Sequence, residues 1–183
     1  MTLTLIRHAP VFSDKESRLY AAELEAWLSE YDAAPIDTTY PDASVATIIH
    51  DAQWIVASTM QRSTDSLKIL GKEPDEVHEI FNEAPVPKSN GRFLRLRPNH
   101  WLYYYLLLLV VDKFKGGSKL QALFDRAEQA ADRLIELSKE YDRVVLMGHG
   151  GANYMIGKVL KEKGWEQRKK GGFDNWSYSQ FVL

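Results

Sequence analysis

The fold is decided by the stretch Thr2-Leu3-Thr4-Leu5-Ile6-Arg7-His8-Ala9-Pro10. Its first five residues are β-branched or leucine, and Pro10 ends the run, which predicts a buried strand. This strand carries an arginine and a histidine to its C-terminal end. In open α/β sheets, ligands bind at that end of the strands. The stretch therefore predicts an α/β sheet with a functional site at its edge.

Two later segments end in the same way. Residues 53–58 (QWIVAS) predict a second buried strand, which a helix with Arg62 near its start follows. Residues 143–147 (RVVLM) predict another strand, which runs into a turn around His149. Strand and helix alternate through much of the chain, which predicts a mostly parallel sheet with helices on both faces, a three-layer α/β/α sandwich. Right-handed crossovers would bring the three strand ends to one edge.

The remaining elements fit one domain over residues 1–183. Helical spacing of apolar residues predicts helices over 15–30, after Asp42 and from Ser118 onward, and short strands over 77–80 and 176–183. The apolar run 101–111 predicts a helix that is buried on most sides, since eleven residues are too few to span a bilayer. We expect residues 84–117 to form a small cap.

Composition excludes several classes of protein. The 23 Lys and Arg residues nearly balance the 25 Asp and Glu residues, so nothing in the net charge of −2 indicates nucleic acid or an anionic membrane as a partner. The absence of cysteine excludes disulfides, thiolate catalysis and cysteine-ligated metals. No His-Glu-x-x-His or similar metal-binding spacing occurs, so we expect no metal or other cofactor. No signal peptide is visible, and the predicted location is the cytoplasm.

The side chains at the three strand ends suit phosphoryl transfer. Arg7 and Arg62 could hold a tetrahedral dianion through charge-assisted hydrogen bonds. His8, beside a held phosphoryl group, could act as a nucleophile and form a phosphohistidine. His149 would stabilise charge on the equatorial oxygens in the transition state.

Four motifs in this order resemble those of the histidine phosphatase superfamily, also called the phosphoglycerate-mutase-like family. They cover the chain from end to end: residues 5–9 (LIRHA) resemble its Arg-His-Gly signature, and the others are 57–66 (ASTMQRSTDS), 147–150 (MGHG) and 175–179 (NWSYS). The resemblance implies that His8 is the phosphorylated nucleophile. It also implies that Arg7 and Arg62 bind the phosphoryl group and that His149 completes the pocket.

The resemblance further implies a proton donor in the middle of the chain. Glu83, in the segment 82–87 (NEAPVP), is the best match, and Glu79 is the competitor. Ala9 stands where the family has glycine, although a small residue still lets the chain pass close to phosphate. Ser13 is a weak candidate for a further phosphate contact.

The predicted function is that of a cofactor-independent phosphatase acting on a small phosphorylated substrate or a phosphoprotein. A phosphoglycerate-type mutase and a non-catalytic phosphate-binding module are the alternatives. The aromatic and leucine-rich run 101–111 could form a homodimer contact. The basic residues of the 84–111 segment could favour a polyanionic substrate, or be ordinary surface charges: Lys88, Arg92, Arg95 and Arg97.

Overall fold

A six-stranded sheet forms the centre of the computed structural model, which describes residues 1–86, 90–115 and 117–183. Its strands are β1 (Thr2–Arg7), β3 (Trp54–Ala57), β4 (Glu76–Val77), β6 (Arg143–Gly148), β7 (Glu166–Lys169) and β8 (Tyr178–Val182). Their order across the sheet is β4-β3-β6-β1-β8-β7. The β4, β3, β6 and β1 neighbours pair in parallel, whereas β8 pairs antiparallel with both β1 and β7. The sheet is therefore mostly parallel, as predicted.

Helices cover both faces of this sheet. On one face lie α5 (Lys119–Ser138) and α6 (Gly150–Glu162), and on the other lie α2 (Ala43–His50) and α3 (Gln61–Ile69). The other described helices are α1 (Leu24–Ala33) and α4 (Pro98–Phe114). Alternate residues of β6 enter two different cores: Val144 and Leu146 pack with α5 and α6, and Val145 and Met147 pack with α2 and α3. This alternation is what a strand buried on both faces requires. The predicted α/β/α sandwich is confirmed.

The register of the central strands places their ends together. Arg7 of β1 lies opposite Gly148 of β6, and Ala57 of β3 lies opposite Met147. The residues that follow these strands, His8, Ser58 and His149, consequently leave the sheet at one edge.

Residues 19–28 and the 91–105 region pack against each other beside the sandwich. The short strands β2 (Leu19–Tyr20) and β5 (Arg95–Leu96) pair antiparallel. Trp101 is buried against Ala21 and Leu24, and its indole Nε1 donates a hydrogen bond of 2.8 Å to the Leu19 carbonyl.

Three local predictions need correction. The α4 helix is not buried on most sides, because Tyr103 is 67% exposed and Leu107 is 59% exposed. The weak third strand is Glu76–Val77, and a 3-10 turn over Glu79–Phe81 replaces the rest of the predicted span. The first helix begins at Leu24 rather than near residue 15, because residues 19–20 pair with β5.

No helix in the described ranges is long and apolar enough to cross a bilayer.

Candidate active site

Four side chains predicted from the sequence meet at the sheet edge. The rings of His8 and His149 lie with their centroids 5.2 Å apart in an edge-on arrangement. Arg62, from the first turn of α3, donates from Nε to His8 Nε2 over 3.2 Å. A Cβ placed on Gly150 would lie 3.6 Å from Arg7 Cδ, so the Arg7 side chain runs along the backbone next to His149.

All four of these groups are polar, yet three of them lie deep in the protein. His8 is 2% exposed, Arg62 is 5% exposed and His149 is fully buried. Arg7 is half-buried. Buried polar groups are usually hydrogen-bonded, yet Arg7 Nε and His149 Nδ1 have no hydrogen-bond partner in the described part of the chain. An anion in the pocket would accept from Arg7 Nε, and also from His149 Nδ1 in the tautomer that carries its proton there.

The hydrogen bonds of His8 define its tautomer. Its Nδ1 lies 2.6 Å from the Ala9 carbonyl oxygen. Since a carbonyl can only accept, Nδ1 carries the proton and donates it. The lone pair is then on Nε2, which accepts from Arg62. The nucleophilic nitrogen of a neutral imidazole therefore points at the arginine side of the pocket.

Burial and neighbouring cations keep both imidazoles neutral. Desolvation, then the Arg62 guanidinium, lowers the pKa of His8 to about 3. Desolvation, then Arg62, also holds the pKa of His149 well below its usual value. The positive charge of the pocket thus comes from its arginines, which suits a dianionic ligand.

Several further residues support these four: the sequence already places Ser58 at the second strand end, whereas the others were not recognised from it. Ser58 Oγ lies 2.7 Å from His149 Nε2. Arg62 Nη1 pairs with Asp32 of α1 at 2.5 Å, and the Arg62 guanidinium lies 5.1 Å from the Tyr31 ring centroid. Burial, then the charge of Arg7, lowers the pKa of Lys15, so this half-buried ammonium also lies near the pocket. Asp32 and Tyr31 lie far from Arg62 in the chain, outside any local motif.

Glu83 is placed beside the pocket by the start of α6. Its carboxylate accepts from the backbone N–H of Gly151 at 3.0 Å and of Ala152 at 2.9 Å. A Cβ on Gly151 would lie 2.7 Å from Glu83 Oε1, so only glycine permits this approach. Gly151 adjoins Gly150, along which Arg7 lies. Glu79, the competing candidate, is exposed on its 3-10 turn.

The other predicted site residues are less engaged. Ser13 Oγ is buried without a hydrogen-bond partner among the described residues, and thus makes no hydrogen bond to the four pocket groups. Arg95 binds the Arg18 carbonyl at 2.9 Å, and Arg97 pairs with Glu16 at 2.9 Å. Arg92 is exposed, and Lys88 lies outside the described residues. Among the residues that the structure covers, no three histidine or acidic side chains could together hold a metal ion.

The arrangement defines a class of protein that handles phosphoryl groups. The model of the histidine phosphatase superfamily (branch 1) matches residues 3–183. This is nearly the whole chain, and the chain therefore belongs to that superfamily. Its activity is accordingly of the phosphatase or mutase type. No curated protein sequence matches the chain.

Solved structures share the fold at low sequence identity. The Mycobacterium tuberculosis open reading frame Rv3214 is 14% identical, with a TM-score of 0.57 over 100% of this chain and 95% of that one. The mycobacterial glucosyl-3-phosphoglycerate phosphatase Rv2419c is 18% identical, with a TM-score of 0.53 over 98% and 88%. TTHB049 from Thermus thermophilus is 17% identical, with a TM-score of 0.54 over 100% and 98%. These likenesses show the fold.

Proposed function

We propose that this chain is a phosphomonoesterase that works through a phosphohistidine at His8. One observation carries the proposal: a neutral imidazole, with its proton held on Nδ1 by the Ala9 carbonyl, presents Nε2 to a buried arginine. The substrate would be a small phosphorylated molecule or a phosphoprotein. No metal or organic cofactor enters the proposed reaction.

The binding step replaces internal contacts by contacts to phosphate. Arg62 Nε would leave His8 Nε2 for a phosphoryl oxygen, which frees the lone pair at the moment the phosphorus arrives. Arg7 Nε and His149 Nδ1, both buried and unpaired within the described structure, would donate to other phosphoryl oxygens. Charge-assisted hydrogen bonds of this kind are the strong ones.

Transfer and hydrolysis use Glu83 twice. His8 Nε2 attacks phosphorus, the bond from phosphorus to the ester oxygen breaks, and protonated Glu83 gives its proton to the leaving alkoxide. Water then attacks the phosphohistidine, Glu83 takes a proton from it, and the P–N bond breaks to release phosphate. The three N–H groups that Glu83 accepts from fix the direction of its carboxyl.

We further propose that the single domain carries a cap made by residues 84–117. The segment starts directly after Glu83, and its described residues Leu96, Trp101 and Tyr105 pack on residues 19–28. A cap there would limit which esters reach His8, since specificity in a common fold resides in its loops.

Covalent labelling tests the proposed function. Brief reaction with an ester labelled in its phosphoryl group should give acid-labile, alkali-stable label on His8. The His8→Ala variant should lose both label and turnover, whereas His50→Ala, which changes an exposed histidine at the end of α2, should keep both. Label on another residue, or full activity in His8→Ala, would contradict the proposal.

Assays on the same wild-type protein distinguish a phosphatase from a mutase and from a phosphate-binding module. A mutase would interconvert 2- and 3-phosphoglycerate faster than it releases phosphate. A binding module would bind phosphate esters and release none. Activity should persist in a chelator, and its loss with recovery on adding metal would indicate a metallohydrolase instead.

A further inference from the structure

The loop between β7 and β8 places an aromatic ring at the rim of the phosphoryl pocket. A Cβ on Gly150 would lie 3.2 Å from Phe173 Cδ1 and 3.6 Å from Arg7 Cδ. Phe173 and the phosphate-binding Arg7 therefore contact the same point of the backbone, directly after His149. A ligand held by Arg7 would have the phenyl ring as a close neighbour.

Hydrogen bonds fix this loop to the catalytic strand end. Asn175 Nδ2 donates to the carbonyls of His8 at 2.8 Å and Ala9 at 3.0 Å. The Trp176 amide donates to the Arg7 carbonyl at 3.1 Å, and Trp176 adopts a left-handed φ of 62°. A non-glycine residue with positive φ needs support from its surroundings. The loop is thus held at a defined position against Arg7 and His8.

Phe173 remains open to solvent in spite of these restraints. It is 57% exposed, and its neighbour Tyr154 on α6 is 58% exposed. Their ring centroids lie 6.0 Å apart with planes tilted by 39°. Two exposed aromatic rings side by side make an apolar surface, and a surface of this kind at a pocket rim indicates a binding role. We call Phe173 and Tyr154 the aromatic shelf.

We propose that the aromatic shelf binds the leaving group of the substrate, and that the substrates are phosphate monoesters with a flat apolar ring next to the ester oxygen. This inference rests on the proposed phosphatase function. In the proposed function the two arginines already bind the phosphoryl group, so the shelf acts on the part of the substrate beyond the phosphate. A substrate ring stacked on Phe173 would remove apolar surface of both rings from water and would gain an aromatic contact.

Benzyl phosphate and ethyl phosphate provide the kinetic test. Both esters release a primary alcohol, so they differ chiefly in the ring. The ratio of their kcat/KM values should favour benzyl phosphate in the wild type and fall about tenfold in Phe173→Ala. Phe173→Tyr should restore the ratio. Tyr40→Ala removes another exposed aromatic ring, in the loop before α2, and should leave the ratio as in the wild type.

Binding of phosphonates tests the shelf without turnover. Calorimetry should give a lower Kd for phenylphosphonate than for methylphosphonate, with the difference lost in Phe173→Ala. If that difference in Kd is found but no ester is hydrolysed, the shelf proposal is supported and the proposed phosphatase function is contradicted. If esters are hydrolysed through His8 but the benzyl-to-ethyl ratio changes less than about twofold in Phe173→Ala, the shelf proposal is overturned.

Phosphotyrosine and a short phosphotyrosine peptide distinguish the sources of an aryl ester. Both should lose kcat/KM in Phe173→Ala, and retention of full kcat/KM in both would count against the shelf. A higher kcat/KM for the peptide assigns the ester to a protein, and equal values assign it to a small molecule.

Discussion

The buried imidazole of His8 makes the stability of the protein depend on pH. Its pKa is lowered from 6.5 to about 3 by burial first and by Arg62 second. Above pH 6.5 the residue is neutral in both the folded and the unfolded chain. As the pH falls through the window between these values, the unfolded chain takes up a proton that the folded chain does not. The free energy of unfolding therefore falls with pH.

A substitution that removes the imidazole should reduce this dependence. Between about pH 6 and about pH 4.5, His8→Gln should lower the slope of unfolding free energy against pH by up to about 1.4 kcal/mol per unit. Urea denaturation at several pH values measures the slope. The exposed His100→Gln serves as control and should keep the wild-type slope. Equal slopes for His8→Gln and the wild type would show that His8 is not buried as a neutral base.

Ser58 sets which nitrogen of His149 can serve phosphate. If the Ser58 hydroxyl donates to His149 Nε2, the ring proton lies on Nδ1, the atom without a partner in the described structure, which the proposed function has donate to phosphate. Ser58→Ala should lower kcat about tenfold with a smaller change in KM, because a misplaced donor weakens the transition state most. Ser58→Thr should restore most of the rate. Ser29→Ala, which removes an exposed hydroxyl on α1, should have the wild-type kcat.

At the scale of elements, hydrogen bonds join α3 to the residue after β1 and to β6, the strands that carry His8 and His149 at their ends. The Ala9 amide of the first strand end donates to Ser66 Oγ at 2.8 Å, and Ser66 Oγ donates to the Arg62 carbonyl at 2.6 Å. Ser63 Oγ donates to the Met147 carbonyl of β6. The helix that carries Arg62 is therefore tied to the strands that carry His8 and His149.

Loss of the Ser66 hydroxyl should weaken this connection between α3 and the end of β1. Ser66→Ala leaves the buried Ala9 N–H without its acceptor and should cost about 1–3 kcal/mol of unfolding free energy. It should also lower kcat/KM, since the spacing of Arg62 and His8 is no longer fixed. Thr64→Ala, on the same helix, removes only a bond to its own first turn and is the control. A Ser66→Ala protein as stable as Thr64→Ala would contradict this account.

Elements could be predicted from the sequence where their periodicity was strong. The buried runs of β1, β3 and β6 were recognised because both faces are apolar. Strand β7 (EQRK) was not, because an edge strand of charged residues has no apolar period. For α4, an apolar composition suggested burial, but composition does not reveal how many neighbours a helix has. Two-residue pairings such as β2 with β5 lack any local signal.

At the scale of the whole molecule, the site could likewise be predicted only where a local sequence pattern marks its residues. Motif order and strand ends predicted Arg7, His8, Arg62 and His149, and the structure brings them together. Their supporting residues include Ser58 and Ser66, from the same 57–66 motif as Arg62, and Asp32 and Phe173, from distant parts of the chain. Each is an ordinary residue type whose role depends on a contact made only in the folded protein.

The two segments beside the sandwich also join through such contacts. Trp101 of α4 is 2% exposed, packs on Ala21 and Leu24 and binds the Leu19 carbonyl. This cluster is separate from the cores on the two faces of the sheet. Cooperative units of this kind open locally at lower free energy than the whole protein. Residues 19–28 and 91–105 should accordingly open together.

Replacing Trp101 should expose both segments at once. Truncation of a buried Trp costs about 3–5 kcal/mol, and here it also leaves the Leu19 carbonyl without its donor. In Trp101→Ala, amide hydrogen exchange should accelerate in residues 19–28 and 91–105 together, at least about a hundredfold, while β1 and β6 keep their protection. Tyr103→Ala, two residues along the same helix and 67% exposed in the wild type, should leave both segments protected. Faster exchange in 91–105 alone would show that the two segments do not form one unit, because the Trp101 contacts would then not be what orders residues 19–28.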